Sequence, residues 1–280
     1  DLEMSHLTAD GICRTTFSVP LDGKISAEIF EDFTEFERSV AQVDIFRLIV
    51  KPAWATLEQP PEVLAACERI RHHLGTMVDS HLDPGAQFDD IASAVIAAKD
   101  EHTDKQFTRE ELMDQLGVFF LAGHETSASA LTWVFFILAE QPSWMSRLRE
   151  EIDRIVGDEE IALEHLREMS LVKAFFKETL RLYPPITFLP RVAMKATQVG
   201  PRKVRRGALV MISPWTLHRN PRYWDDPNVF RPERFLGSEG IPSEAYIPFG
   251  QGPHTCIGAG FAQIEALLII ACVVRRFDVQ

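Results

Sequence analysis

Apolar residues recur at helical spacing through most of the first 116 residues. Within residues 26–49, Ile29, Phe30, Phe33, Phe36, Val40 and Val43 fall three or four positions apart, which predicts an amphipathic helix with a phenylalanine stripe turned to the core. Residues 61–81 predict a second long helix, because Pro61 suits a first helical position where its missing N–H costs nothing. Thr108 followed by Glu111 is a capping box ahead of a long apolar run, so residues 108–140 read as one helix. Pro142 opens another, with Arg147, Glu150, Glu151 and Arg154 on its polar face and Gly157–Asp158 at its end. A further helix over 171–182 is stopped by Pro184 and Pro185. The period then changes. RVAMKA (191–196) and GALVMIS (207–213) read as short strands, residues 218–254 as a loop rich in Pro, Asn and Asp, and AGFAQIEALLIIACVVRRF as a final apolar helix. Together these elements predict a mainly α (α+β) fold in which helices dominate and the sheets are small, taken as a single domain over 1–280.

Composition narrows the function. A chain of 280 residues with 46% hydrophobic and 25% charged positions is an ordinary soluble globular sequence. Its net charge of −12 argues against nucleic acid, which needs a cationic surface. Cys13, Cys67, Cys256 and Cys272 are scattered without a C-x-x-C pair, so they predict neither a zinc site nor a disulfide framework, and fit a reducing, cytoplasmic setting. The apolar segment 116–139 raises the question of a membrane span. His124, Glu125 and Thr126 interrupt its centre, where charge is costly in lipid, so a buried helix is expected and no span. No basic-then-apolar leader follows Asp1; an anchor before Asp1 is left open.

The chemistry centres on FGQGPHTCIG, residues 249–258. Gly250, Gly252 and Gly258 allow backbone to approach closely, and Cys256 stands just before the final helix, where unpaired N–H groups and the dipole favour an anion. The thiolate is the form of cysteine that binds a metal, which suggests a ligand to iron. A lone cysteine is more often simply buried and inert, so on Cys256 alone both readings stay open.

This loop resembles the heme-ligand signature of the cytochrome P450 family of heme-thiolate monooxygenases: Phe, Gly, any residue, Gly, any, Arg or His, any, Cys, any, Gly. The resemblance implies heme b with Cys256 as axial thiolate ligand, Phe249 beside the sulfur, and His254 and Arg191 on the propionates. AGHETS, residues 122–127, resembles the family's mid-helix stretch; a hydroxyl with a nearby carboxylate can relay protons, so Thr126 and Glu125 are implied as the catalytic pair. Ala122 and Gly123 would line the substrate pocket, together with Ile186, Thr187, Phe188 and Leu189. Helix packing eased by glycine is the plainer account of the same stretch. KETLR puts Glu178 and Arg181 three apart, and PERF brings Arg234; in the family such residues form one buried network with bidentate arginines, a structural support. HRNP, at 218–221, resembles another family segment. In one departure, Val204, Arg205, Arg206 and Gly207 stand where the family usually has Ile-Pro-x-Gly.

The function implied is a monooxygenase that inserts one oxygen atom of O2 into a small apolar substrate. Its electrons would come from a separate donor such as a ferredoxin or flavodoxin-like protein. Between Arg191 and Arg234 ten basic residues stand against three acids, a cationic face suited to an acidic donor. Two other readings stay open: a heme-binding or sensing protein without turnover, and a non-functional truncated remnant. The family fold starts before the equivalent of Asp1 and continues past Gln280, so the fold is expected to be incomplete at both ends.

Overall fold

A computed structural model describes residues 2–21, 24–40, 60–100, 102–237 and 241–279. They fall into two compact units, Leu2–Glu125 and Thr126–Gln280.

The first unit is helical. Helix α1 (Leu2–Phe17) buries Ala9, Ile12, Cys13 and Phe17. Helix α2 (Lys24–Val40) packs against α3 (Pro61–Leu82), burying Ile29, Phe30 and Phe33 from the stripe read in the sequence. The rest of the helix predicted over 26–49, residues 41–49, lies outside the described residues. Helix α3 begins at Pro61 as the proline implied. Short helix α4 (Ile91–Ala97) is capped by Asp90, whose side chain accepts from the Ser93 N–H. The same carboxylate takes hydrogen bonds from Ser18 Oγ at 2.7 Å and from His81 Nε2 at 2.9 Å. Burial pushes the Asp90 carboxyl up, but these donors outweigh it and hold it below its usual range. Helix α5 (Arg109–Glu140) starts on the predicted capping box: the Thr108 N–H and hydroxyl both donate to Glu111 Oε2, at 2.8 and 2.9 Å, and the Glu111 N–H returns to Thr108 Oγ1 at 3.3 Å.

Within this unit α1 meets α5 at Gly123. A Cβ there would stand 2.4 Å from Ile12 Cδ1, far inside contact distance, so glycine is what lets the helices approach. Phe33 stacks on Phe120 at 4.8 Å between ring centroids.

The second unit is built from α6 (Pro142–Val156), α7 (Leu163–Glu168), α8 (Ser170–Leu182), the short α9 (Pro214–Leu217) and α10 (Ala259–Arg276). Helices α6 and α8 pack on α10 around Leu148, Ile152, Phe175, Ile270 and Val274, all nearly or fully buried. Gly157 ends α6 at φ +58° and ψ −130°, a positive-φ conformation open to glycine at low cost. The second predicted strand forms within its run as β4 (Leu209–Ile212), but the first is displaced: β1 (Leu189–Val192) shares only Arg191 and Val192 with the predicted 191–196, because its partner β4 runs antiparallel from Leu189 opposite Ile212 to Val192 opposite Leu209. Between them lies a hairpin not read from the sequence, β2 (Thr197–Val199) against β3 (Arg202–Val204). Gly200, at φ +57°, supplies the positive φ of its two-residue turn. The departing segment 204–208 still closes a turn, with Gly207 at φ +80° and the Ala208 N–H donating to Arg205 O at 3.1 Å.

Among the described residues, no helix is long and apolar enough to cross a membrane.

Candidate functional site

The glycine loop folds back on itself before α10. Gly250 and Gly252 adopt φ +74° and +80°, conformations that strain any residue with a Cβ. Residues 252–254 form one 3-10 turn, and the Cys256 N–H donates to Phe249 O at 2.9 Å. Cys256 is thereby held at the start of α10, with its Sγ 3.9 Å from where a Cβ on Gly258 would sit. Of the four cysteines, Cys256 is the exposed one and Cys13 the buried one. Burial pushes the Cys13 thiol up to about 12 and raises that of Cys272, so neither offers an anionic sulfur. His254 is exposed in the 3-10 turn, and Phe249 lies half-buried beside a cavity of about 220 Å3 that Phe176, Leu180, Tyr246 and Gln263 also line. Leu189 Cδ1 comes within 3.9 Å of the Cβ position of Gly250, which sets the start of β1 against the loop. Ile186, Thr187 and Phe188 are exposed on the approach to it. Arg191, half-buried on β1, donates to the carbonyl of its own neighbour Pro190 at 2.8 Å. On α5, Ala122 and Glu125 are exposed and Gly123 and Thr126 half-buried.

Glu178, Arg181 and Arg234 meet. Arg181 and Glu178 are fully buried and form a bidentate pair, Nε to Oε2 at 2.7 Å and Nη2 to Oε1 at 2.9 Å. Arg181 Nη1 also donates to the carbonyls of His218 and Pro227, each at 2.7 Å, and Nη2 to that of Val229 at 3.2 Å. Arg234 differs from the sequence expectation of a second bidentate arginine. Glu178 Oε1 already accepts from Arg181 and from the Arg231 N–H at 2.8 Å, so Arg234 reaches it with Nε alone at 3.3 Å and turns its Nη2 to Asp226 O at 2.9 Å.

His218 joins this network, a role that its HRNP context did not reveal. Its Nδ1 lies 3.2 Å from Arg181 O, while Nε2 accepts the Ile247 N–H at 2.9 Å. An Nε2 that accepts leaves the proton on Nδ1, and so a neutral ring. Burial, with the charges of Arg181 and Arg219 adding to it, accordingly pulls the imidazole down to about 4. Through His218 the buried pair grips Ile247, two residues before Phe249. Tyr246, its hydroxyl donating to Lys177 O at 2.9 Å, fixes the preceding step.

Glu265 on α10 was also missed. Both its carboxyl oxygens are sealed from solvent without a well-formed hydrogen bond. Burial pushes the acid up to about 7, with the Ser127 hydroxyl pulling against the shift. Between the ordinary glutamate value of 4.5 and about 7 the folded chain holds a proton that the unfolded chain has lost, so stability falls as pH rises through that window and stays low above it. Glu265→Gln should therefore gain up to about 3 kcal/mol on wild type between about pH 5 and about pH 8. Denaturant midpoints of both proteins at the two pH values measure it; parallel pH profiles would sink the assignment.

The ten basic residues between Arg191 and Arg234 do not act as one face. The Arg234 side chain is 7% exposed in the network, Arg219 is spent on the carbonyls of Leu182 and Trp215, and Arg231 lies 3.7 Å from Asp226. Half-buried Arg191 turns to the Pro190 carbonyl and exposed Arg222 lies by the Tyr223 ring, which leaves Lys195, Arg202, Lys203, Arg205 and Arg206, all exposed.

A thiol-presenting glycine loop at a helix start, braced by a buried Glu–Arg network in a helical fold with small antiparallel sheets, is the arrangement that the family resemblance implied. The family model for cytochrome P450 matches residues 2–280. The chain is 38% identical to protein LUTEIN DEFICIENT 5, chloroplastic, of Arabidopsis thaliana, over 99% of the chain and 49% of that protein. It is 31% identical to a cytokinin hydroxylase of Arabidopsis thaliana over 99% of the chain and 55% of that protein. With a cyclooctat-9-en-7-ol 5-monooxygenase of Streptomyces melanosporofaciens it shares 33% identity over 86% of the chain and 52% of that protein. A zebra fish cytochrome P450 solved with abiraterone superposes with a TM-score of 0.81 at 25% identity, covering 98% of this chain and 63% of that one. The chain belongs to the cytochrome P450 family, and it spans about half the length of these relatives.

Proposed function

We propose that this chain carries the heme-ligand half of a monooxygenase, in which Cys256 would hold heme b through its thiolate. The observation that carries the reading is the exposed Cys256, held at the start of α10 by two positive-φ glycines and its own N–H bond to Phe249. Among the described residues no group of three or more His, Cys, Asp or Glu is placed to hold a metal, so a metal at Cys256 would bring most of its coordination with it, as a porphyrin does. When bound, the heme supplies activation of O2 for insertion of one oxygen atom into a small apolar substrate. Phe249, Gly250, Gly252 and Gly258 shape the sulfur's surroundings, and His254 and Arg191 carry N–H donors suited to propionates. The Glu178–Arg181–Arg234 network is structural in this reading. Ile186, Phe188 and Leu189 offer apolar side chains to a substrate in this reading. Electrons come from a separate donor of the ferredoxin or flavodoxin-like kind.

Thr126 and Glu125 deliver protons in this reading, a hydroxyl next to a carboxylate on one helix. Thr126→Ala should keep heme content but divert reducing equivalents to hydrogen peroxide, lowering product per NAD(P)H by roughly tenfold or more. Peroxide and product are assayed together with a reconstituted donor. Unchanged coupling would remove Thr126 from the role, and heme loading without any turnover in wild type would favour the heme-binding alternative.

A further inference from the structure

We propose that the β2–β3 hairpin is a peripheral docking element for an anionic lipid surface. Its two three-residue strands are exposed at every position except Val204, which is half-buried, so the ribbon stands clear of the core on both faces. Five of the ten basic residues between 191 and 234 gather here, at 195, 202, 203, 205 and 206. No Asp or Glu occurs from 179 to 224, and among the described residues none of the five is ion-paired. Two apolar side chains protrude among them, Met194 at 82% and Val199 at 52% exposure.

That mixture decides the kind of partner. A solvated cationic loop needs no protruding methionine, and a stable protein interface needs about 800 Å2 per partner with shape complementarity, which a ribbon of three-residue strands does not offer. A bilayer surface asks for no shape: it takes shallow apolar insertion and rewards nearby cations, and two such weak signals together make a stable anchor. The net charge of −12 does not forbid this, because screening over about 8 Å at physiological salt leaves the local cluster in control. Each cation close to an anionic leaflet is worth roughly fivefold in partitioning.

The test is co-sedimentation of the 280-residue chain with phosphatidylcholine vesicles, with and without about one quarter phosphatidylglycerol. Binding to the anionic vesicles should exceed binding to the neutral ones at least tenfold and collapse when salt is raised from about 0.05 M to about 0.5 M. Lys203→Gln with Arg206→Gln should weaken it roughly 25-fold, and Met194→Ser should weaken it further at unchanged salt dependence. Far-ultraviolet circular dichroism of each variant shows that the fold is retained. Equal binding to neutral vesicles would overturn the proposal. So would binding indifferent to the charge variants, or a preference for an acidic ferredoxin with no affinity for lipid. Heme plays no part in the readout, so the result stands apart from the assignment of Cys256.

Discussion

The wild-type chain, reconstituted with heme, reduced and treated with CO, should show a red-shifted Soret band, and replacing Cys256 by serine should abolish it. The expectation rests on the sulfur: a thiolate pushes electron density onto the iron, whereas a serine hydroxyl stays protonated near neutral pH and donates little. The change is all-or-none in the spectrum. A second measurement needs no spectrum of the loaded protein. In the heme-free chain a thiol-alkylating reagent should label Cys256 first, because it is the exposed cysteine, and Cys13 last, because burial holds that thiol protonated up to about pH 12. Heme loading should then protect Cys256 selectively. A wild-type spectrum of the histidine-ligated type, or labelling of Cys256 that heme leaves unchanged, would refute the ligand assignment.

Local rules made much of this fold legible. The Thr108–Glu111 box, Pro61 and Gly157 act within a few residues of themselves, and each marks a helix boundary that the structure keeps to within a residue. Features that depend on distant partners stayed hidden. His218 takes its meaning from Arg181, 37 residues away, and Ile247, 29 residues away; no local spacing encodes that. Glu265 sits in an apolar run as one polar position among many, and only packing shows that its oxygens are sealed. The β2–β3 strands are too short and too polar to alternate, leaving Gly200–Pro201 as their sole trace. The ten basic residues between 191 and 234 looked like one surface because sequence counts charge without direction, and folding turned Arg219 and Arg234 inward.

The buried network should show the largest loss of stability. Glu178→Ala leaves Arg181 buried with no counter-charge, and Arg181→Ala leaves Glu178 likewise; each should cost about 3–5 kcal/mol. The two residues contact each other through two hydrogen bonds, so the double variant should lose well under the sum of the single losses. Arg181 does more than neutralise Glu178. Its guanidinium satisfies the carbonyls of His218, Pro227 and Val229, which no apolar side chain replaces. A simple buried ion pair is often exchanged for well-packed apolar residues without penalty; here Glu178→Leu with Arg181→Met should remain destabilised by about 2 kcal/mol or more, because buried acceptors are left unmet. Arg181→Lys should fail for the same reason, since an ammonium lacks the planar fork. The damage should reach the site through His218 and Ile247: protease susceptibility of residues 241–256 should rise in every network variant, while the circular dichroism of the helices changes little below the unfolding transition. Denaturant titrations of the five variants, with limited proteolysis alongside, measure both effects. A paired apolar replacement as stable as wild type would show that the network is an isolated ion pair with no grip on the loop.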